Sequence, residues 1–234
     1  MNIRMKDHIW KIIGIVAVIA IGASIVYSNS VSNEANVGIV FEAHVKGNAD
    51  AAVTLTEYSD FQCPACGQFF SVINDLMSEQ GDNIRFEYKH FPLISIHPYA
   101  VPAAKAAEAA GQQGKFFEMH DKIFENQQIW SASAAPQAFF NTYAEEIGLD
   151  MGLFKRHMRA SLIADKIESD FNEARELKLT STPSFFLNGK KMEFTTYQDF
   201  RDQIDAAINP VAVEVGGTEN VPVMPSEPEV KFGF

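Results

Sequence analysis

The stretch Glu57-Tyr58-Ser59-Asp60-Phe61-Gln62-Cys63-Pro64-Ala65-Cys66-Gly67-Gln68-Phe69 decides the fold, because it holds the only two cysteines of the chain. The pair follows a β-rich run, residues 53–58, and Pro64 suits the first turn of a helix, where its missing N–H costs nothing. The N-terminus of a helix carries a partial positive charge that stabilises a thiolate on the first cysteine. The pattern therefore predicts a reversible redox pair, Cys63 and Cys66, at a strand-to-helix junction.

Two other interpretations of the cysteine pair are open. Half of a zinc site would need further ligands, for which His90, His97, His120 or His157 would have to serve, and these show no recognisable ligand spacing. A structural disulfide that closes so short a loop would add little stability. We therefore favour the redox interpretation, and we predict no metal and no cofactor.

The order of predicted elements places the cysteines in a β-α-β unit. A helix from the cysteines to about Glu79 ends at Gly81-Asp82-Asn83, and residues 84–88 alternate as a strand should. Residues from about 97 to 179 carry helical periodicity, broken by glycines and a proline. Residues 184–187, the turn pair Asn188-Gly189 and residues 190–194 then predict a β-hairpin, and a final helix follows.

Four separated segments, taken in order, resemble those of the DsbA-like thiol:disulfide oxidoreductases: residues 57–69, 86–93, 114–120 and 182–189. The similarity covers about residues 45–208. It implies an α/β, thioredoxin-like fold in residues 51–209. A helical insertion at about 97–179 would separate the N-terminal β-α-β unit from a C-terminal β-β-α unit.

The same resemblance implies roles for three further residues. The Thr182-Pro183 bond would be cis and would face the cysteines, so that the backbone of Thr182 could pair with an extended substrate peptide. Glu57 would lie beside the buried Cys66 and exchange its proton, with a pKa raised by burial. The alternatives are a simple strand-opening proline and an ordinary exposed strand glutamate.

The N-terminus predicts an export signal or an anchor. Arg4, Lys6 and Lys11 precede an uncharged apolar run, so we expect a cytoplasmic segment 1–8 and a transmembrane signal anchor, or a cleaved signal peptide, at 9–27. This orientation would place the rest of the chain on the oxidising, extracytoplasmic side of a membrane, or would secrete it after cleavage.

The flanks and the charge complete the domain prediction. Residues 28–50 are expected to form a polar linker, and residues 210–234 a disordered, acidic tail that contains prolines. The net charge is −11, which would repel phosphate backbones and therefore argues against nucleic acid as a partner.

We therefore predict a thiol:disulfide oxidoreductase that acts on exported client proteins. As an oxidase it would donate the Cys63–Cys66 disulfide through a mixed disulfide on Cys63. The family implies a quinone-linked membrane partner of the DsbB or VKOR type that reoxidises it. The alternatives are an isomerase or reductase that uses the reduced pair, a peptide-binding or chaperone-like module, and a zinc-binding module.

Overall fold

The computed structural model describes residues 13–24 and 34–210. Strands and helices are numbered here in chain order from the first strand. They are β1 (His44–Gly47), β2 (Val53–Ser59), α1 (Pro64–Gln80), β3 (Ile84–His90), α2 (Ala100–Gly111), α3 (Phe116–Glu125), α4 (Gln127–Ser131), α5 (Pro136–Glu146), α6 (Met151–His157), α7 (Ser161–Glu176), β4 (Ser184–Leu187), β5 (Lys190–Lys191) and α8 (Tyr197–Ile208).

The strands form one mixed sheet in the order β1-β3-β2-β4-β5. Strands β2 and β3 are parallel and are joined by α1, while the remaining pairs are antiparallel. Helices α2 to α7 lie in sequence between β3 and β4. The prediction of an α/β, thioredoxin-like fold with a helical insertion is confirmed.

Strand β2 is the central strand of the sheet, and it carries Glu57 of the candidate site. Its residues Val53, Leu55 and Glu57 share one face and are buried, as the two-residue period of a strand requires. Strand β3 alternates cleanly, with Ile84, Phe86, Tyr88 and His90 buried. The carboxylate of Glu57 is therefore carried into the core by an otherwise apolar face.

Helix α1 positions the cysteines. Cys63 is the N-cap residue, with extended backbone angles, and Pro64 takes the first helical position. The buried face of the helix consists of Cys66, Phe69, Ile73 and Leu76, at the three- and four-residue spacings of an amphipathic helix. This periodicity turns Cys66 towards the sheet, whereas Cys63 lies at the rim.

The C-terminal unit follows local sequence signals. Asn188 and Gly189 both have positive φ, as a two-residue hairpin turn requires. Helix α8 begins at the N-cap Thr196, whose hydroxyl accepts a hydrogen bond from the backbone N–H of Asp199 at 3.0 Å. Strand β5 comprises only Lys190–Lys191, so it is shorter than the predicted run 190–194.

The boundary between linker and domain differs from the expectation. Strand β1, His44–Gly47, lies inside the stretch 28–50 that was expected to be a linker, and it pairs with β3 along its whole length. Its four residues, His-Val-Lys-Gly, contain one strand-favouring side chain, Val45, so the stretch is too short to show the pattern of a strand. The expected tail, residues 210–234, lies outside the described residues except for its first residue.

The expected membrane anchor at 9–27 requires a correction. Among the residues described, no helix has the length and apolar character needed to cross a membrane. Of the predicted anchor, the structure describes residues 13–24, which are helical. The prediction of a membrane-anchored location is therefore wrong.

Candidate active site

Cys63 and Cys66 are free thiols at the start of α1, with different surroundings. Cys63 is 7% exposed and its Sγ lies 3.4 Å from the backbone oxygen of Thr182, to which the thiol donates. Cys66 is fully buried, and its Sγ accepts a hydrogen bond from the backbone N–H of Asp60 at 3.5 Å. Only the first cysteine lies where an incoming sulfur could reach it.

The pKa of the Cys63 thiol is lowered from its ordinary 9.0 to about 5. The largest cause is a hydrogen bond from the Cys66 thiol to the Cys63 sulfur. Burial opposes the shift, and the side-chain hydroxyl of Thr182 and the backbone N–H groups of Ala65 and Cys66 add to it. These N–H groups belong to the first turn of α1, where they have no partner within the helix. Reduced Cys63 is therefore a thiolate at neutral pH.

The pKa of the Cys66 thiol moves in the opposite direction, well above its ordinary value. Burial is the largest cause, followed by the hydrogen bond that Cys66 gives to Cys63 and by the negative charge of Glu57. Cys66 therefore keeps its proton at neutral pH, and a neighbouring base is needed to remove it.

Glu57 is 3% exposed, and burial raises the pKa of its carboxyl from 4.5 to about 7. The Ser59 hydroxyl is close enough to lower this pKa, and the charge of Cys63 raises it. Neither Ser59 Oγ nor Tyr88 OH, both buried beside Glu57 and Cys66, has a well-formed hydrogen bond to any residue of 13–24 or 34–210. The site thus holds a carboxyl that can gain or lose a proton near neutral pH.

The Thr182–Pro183 peptide bond is cis, and Thr182 is buried at the sulfur of Cys63. Strand β4 begins directly afterwards, at Ser184. All five residues named from the sequence therefore meet around one sulfur pair, although Thr182 lies 119 positions from Cys63.

Gln127 holds the cysteine loop and was missed by the sequence analysis. Its side-chain amide donates 2.8 Å hydrogen bonds to the backbone oxygens of Phe61 and Cys63. A Cβ added at Gly67 would lie only 2.5 Å from Gln127 Oε1, so the glycine makes room for this side chain. No motif surrounds Gln127, and only its contact across 64 positions shows the role.

Asp60 ties the same loop to the segment after β3. Its carboxylate accepts hydrogen bonds from the backbone N–H of Gln62 at 2.7 Å and of Leu93 at 2.8 Å. It also contacts His97 Nδ1 at 2.7 Å. The sequence signal for this arrangement is weak, because an aspartate before a turn is common.

The histidines do not lie with the cysteines as a zinc site would require. Three of the four that could have completed such a site pair with a carboxylate instead, namely His90 with Glu108, His97 with Asp60 and His120 with Asp121. His120 is buried among aromatic rings, and burial lowers the pKa of its imidazole. The part of the chain that the structure describes holds no cluster of metal-ligating side chains at the sulfurs.

A groove of about 750 Å³ runs beside the cysteine pair, between the first turns of α1 and the α3–α4 junction. Pro64 and Gly67 form one wall, and Phe124 and Ile129 contribute apolar surface to the other. Ile129 is exposed. The remaining lining side chains are polar, so the groove offers an extended segment both polar and apolar contacts near Cys63.

Two solved structures share this architecture. A thioredoxin-like oxidoreductase from Silicibacter pomeroyi is 28% identical, with a TM-score of 0.60, over 71% of this chain and 92% of that chain. Alpha-DsbA1 from Wolbachia pipientis is 21% identical, with a TM-score of 0.64, over 76% of this chain and 96% of that chain. Both comparisons show the thioredoxin-like fold, which this chain shares with a protein named as a DsbA.

Curated relatives match only in part. A protein named Na(+)/H(+) antiporter NhaA 1 from Salinispora arenicola is 40% identical over 148 residues, which make up 63% of this chain and 22% of that protein. The chain thus spans about a fifth of the length of the curated relatives it matches. The family model described as Thioredoxin matches residues 41–206, which include the cysteine pair and the cis-proline. The chain belongs to the thioredoxin family, with the fold of its DsbA-like thiol:disulfide oxidoreductases.

Proposed function

We propose that the chain exchanges disulfides with client proteins and acts mainly as an oxidase, with Cys63 as the sulfur that clients attack. The observation that carries the proposal is the opposite displacement of the two thiol pKa values, downward at Cys63 and upward at Cys66. Stabilising the reduced Cys63 thiolate favours the reduced enzyme, and so makes the disulfide a stronger oxidant.

In the first step a client thiolate attacks Sγ of Cys63. The Cys63–Cys66 bond breaks, a mixed disulfide forms between client and Cys63, and Cys66 leaves with the electron pair. The thiol pKa of Cys66 is high, so this sulfur must receive a proton as it leaves. Glu57, with a carboxyl pKa of about 7, is the proposed donor, and in the reverse direction the proposed acceptor.

In the second step another thiolate of the client attacks the client's own sulfur in the mixed disulfide. Cys63 then leaves as a thiolate, which its low pKa favours, because a thiol of lower pKa leaves faster. The client gains a disulfide, and the enzyme has taken up two electrons. Turnover therefore requires an oxidant, for which we propose a quinone-linked partner of the DsbB or VKOR type.

We propose that a client segment binds in extended form at the cis-proline. Thr182 presents its backbone beside Cys63, where an extended segment can form main-chain hydrogen bonds, and the adjacent groove can accept side chains. This arrangement supports exchange with many clients, because main-chain hydrogen bonds do not depend on the client's sequence.

The main alternative is an isomerase or reductase. It uses the same Cys63 thiolate, which at neutral pH can attack a client disulfide directly. The opposite pKa shifts of the Cys63 and Cys66 thiols suit disulfide exchange. They therefore favour an oxidase, isomerase or reductase over a peptide-binding, chaperone-like or zinc-binding module. We propose no ion-transport role, because the match to the antiporter covers only 22% of that protein.

Equilibration with glutathione buffers tests the direction of electron flow. The reduced fraction, measured by thiol alkylation, gives the potential of the Cys63–Cys66 couple. An oxidase is expected at about −120 to −180 mV, and a value near about −270 mV would replace the proposal with a reductase. A control with Cys66→Ser should show no such two-electron transition.

A further inference from the structure

We propose a second site, separate from the sulfurs, at which His44, His90 and Glu108 bind one divalent transition-metal ion of the zinc class. The ligating atoms of these side chains all lie within 4.8 Å of one another. They come from three elements, β1, β3 and α2, so that the cluster exists only in the folded chain. Two imidazoles and a carboxylate are a donor set that zinc accepts.

The geometry is close to that of a coordination site. His44 Nε2 and His90 Nε2 lie 2.8 Å and 3.0 Å from the same oxygen, Oε1 of Glu108. Ligands bound tetrahedrally at about 2.0–2.2 Å from one ion stand roughly 3.3–3.6 Å apart. The two histidine–carboxylate separations therefore need to lengthen by only about half an ångström to admit one cation between the three side chains.

The burial of Glu108 also favours a cation. Its side chain is fully buried, and Oε2 has no hydrogen-bond partner among residues 13–24 and 34–210. An unpaired carboxylate oxygen in the interior is costly, because it loses its hydration without replacement. A metal ion bound at Glu108 would give this oxygen an electrostatic partner.

The first ligand is held in place and is accessible. The His44 ring stacks on Phe116, with ring centroids 3.5 Å apart and planes 7° from parallel, so its orientation is fixed. His44 also lines a cavity of about 380 Å³, to which Glu42 and Glu118 contribute carboxylates. No lysine or arginine is among the described residues that line it. An ion can therefore enter from this side and keep a water ligand there.

Zinc binding by the full chain tests the proposal. The protein is used with the Cys63–Cys66 disulfide formed, so that no thiolate competes for the ion, and is dialysed against zinc chloride at micromolar concentration. One equivalent of zinc per chain is expected, together with a higher Tm. Cobalt(II) in place of zinc should give the visible absorption of a tetrahedral site. Zinc retained at well below one equivalent would overturn the proposal.

Matched variants locate the ion. His44→Phe keeps the stack on Phe116 and removes one ligand, so zinc affinity should fall by at least about tenfold. His157→Phe is the control, because His157 is a buried histidine outside the cluster, and it should keep wild-type affinity. If His44→Phe does not fold, Glu108→Gln decides in its place. Unchanged zinc affinity in the variant that folds would overturn the assignment.

Discussion

The thioredoxin core and the helical insert contribute different kinds of group to the candidate site. The core supplies the two sulfurs, the buried carboxyl of Glu57 and the backbone of Thr182. The insert supplies Gln127, which contacts no reacting atom and instead holds the carbonyls of the cysteine loop. We therefore expect substitutions in the core to alter the chemistry, and substitutions in the insert to alter the stability of the fold and the position of the cysteine loop.

The largest effect is expected at the sulfurs themselves. Cys63→Ser should abolish disulfide transfer, because no sulfur remains where a client can attack. Cys66→Ser should instead accumulate mixed disulfides with clients, because Cys63 can still attack a client disulfide but cannot be released by its neighbour. Non-reducing gels separate the two results. Trapping by Cys63→Ser rather than Cys66→Ser would reverse the assignment.

Glu57→Gln should slow exchange by about 10- to 100-fold without unfolding the protein, because a proton donor is replaced by an amide of equal volume. The loss should be largest where Cys66 must give up its proton. Rates measured by stopped flow from pH 5 to 8 test this. If the variant exchanges disulfides at the wild-type rate over that whole range, Glu57 is a buried strand residue with no part in proton transfer.

The same variant predicts a change in stability with a definite sign. The pKa of Glu57 is higher in the folded protein, about 7, than its ordinary 4.5. Its contribution to the free energy of unfolding is therefore fully present below about pH 4.5 and is lost as the pH rises through 7. Glu57→Gln should remove this loss, and should stabilise the oxidised protein above pH 7 by up to about 3 kcal/mol. Urea unfolding at pH 5 and pH 8 measures the difference.

Gln127→Ala tests the insert with a neighbour as control. It removes two hydrogen bonds to buried carbonyls, so the free energy of unfolding should fall by about 1–3 kcal/mol. The exchange rate should fall less than in Glu57→Gln, because no reacting group is lost. Gln128→Ala alters an exposed side chain and should change stability by less than about 0.5 kcal/mol. Equal effects of the two variants would contradict the role given to Gln127.

Gly67→Ala should reveal the smallest effect, through its dependence on Gln127. In a helix, replacing glycine by alanine ordinarily raises the free energy of unfolding by up to about 1 kcal/mol. Here the new Cβ would lie 2.5 Å from Gln127 Oε1. In the wild-type chain we expect Gly67→Ala to leave the free energy of unfolding unchanged or to lower it. In the Gln127→Ala chain we expect the ordinary increase. A double-mutant cycle of unfolding free energies gives the coupling, and a coupling of zero would place the two side chains apart.

Local patterns account for the parts of the fold that the sequence predicted. The alternation of 84–88 and the Asn188-Gly189 turn each depend on neighbours a few positions away. Strand β1 was not predicted, because only one of its four residues, Val45, has a strand-favouring side chain. The anchor prediction is wrong, since no helix among residues 13–24 and 34–210 is long and apolar enough to cross a membrane.

By itself, the sequence determined the position of the cysteine pair at the start of a helix, because a strand followed by Cys-Pro-Ala-Cys is a short motif with a local physical cause. The cis form of the Thr182–Pro183 bond was implied by the family resemblance and not by the local sequence. Only the tertiary structure decided what surrounds these residues. The pKa of Glu57 depends on burial within the sheet, the Gln127 contacts join segments 64 positions apart, and the His44–His90–Glu108 cluster joins two strands and a helix. Such contacts arise from packing between distant segments, and no spacing along the chain encodes them.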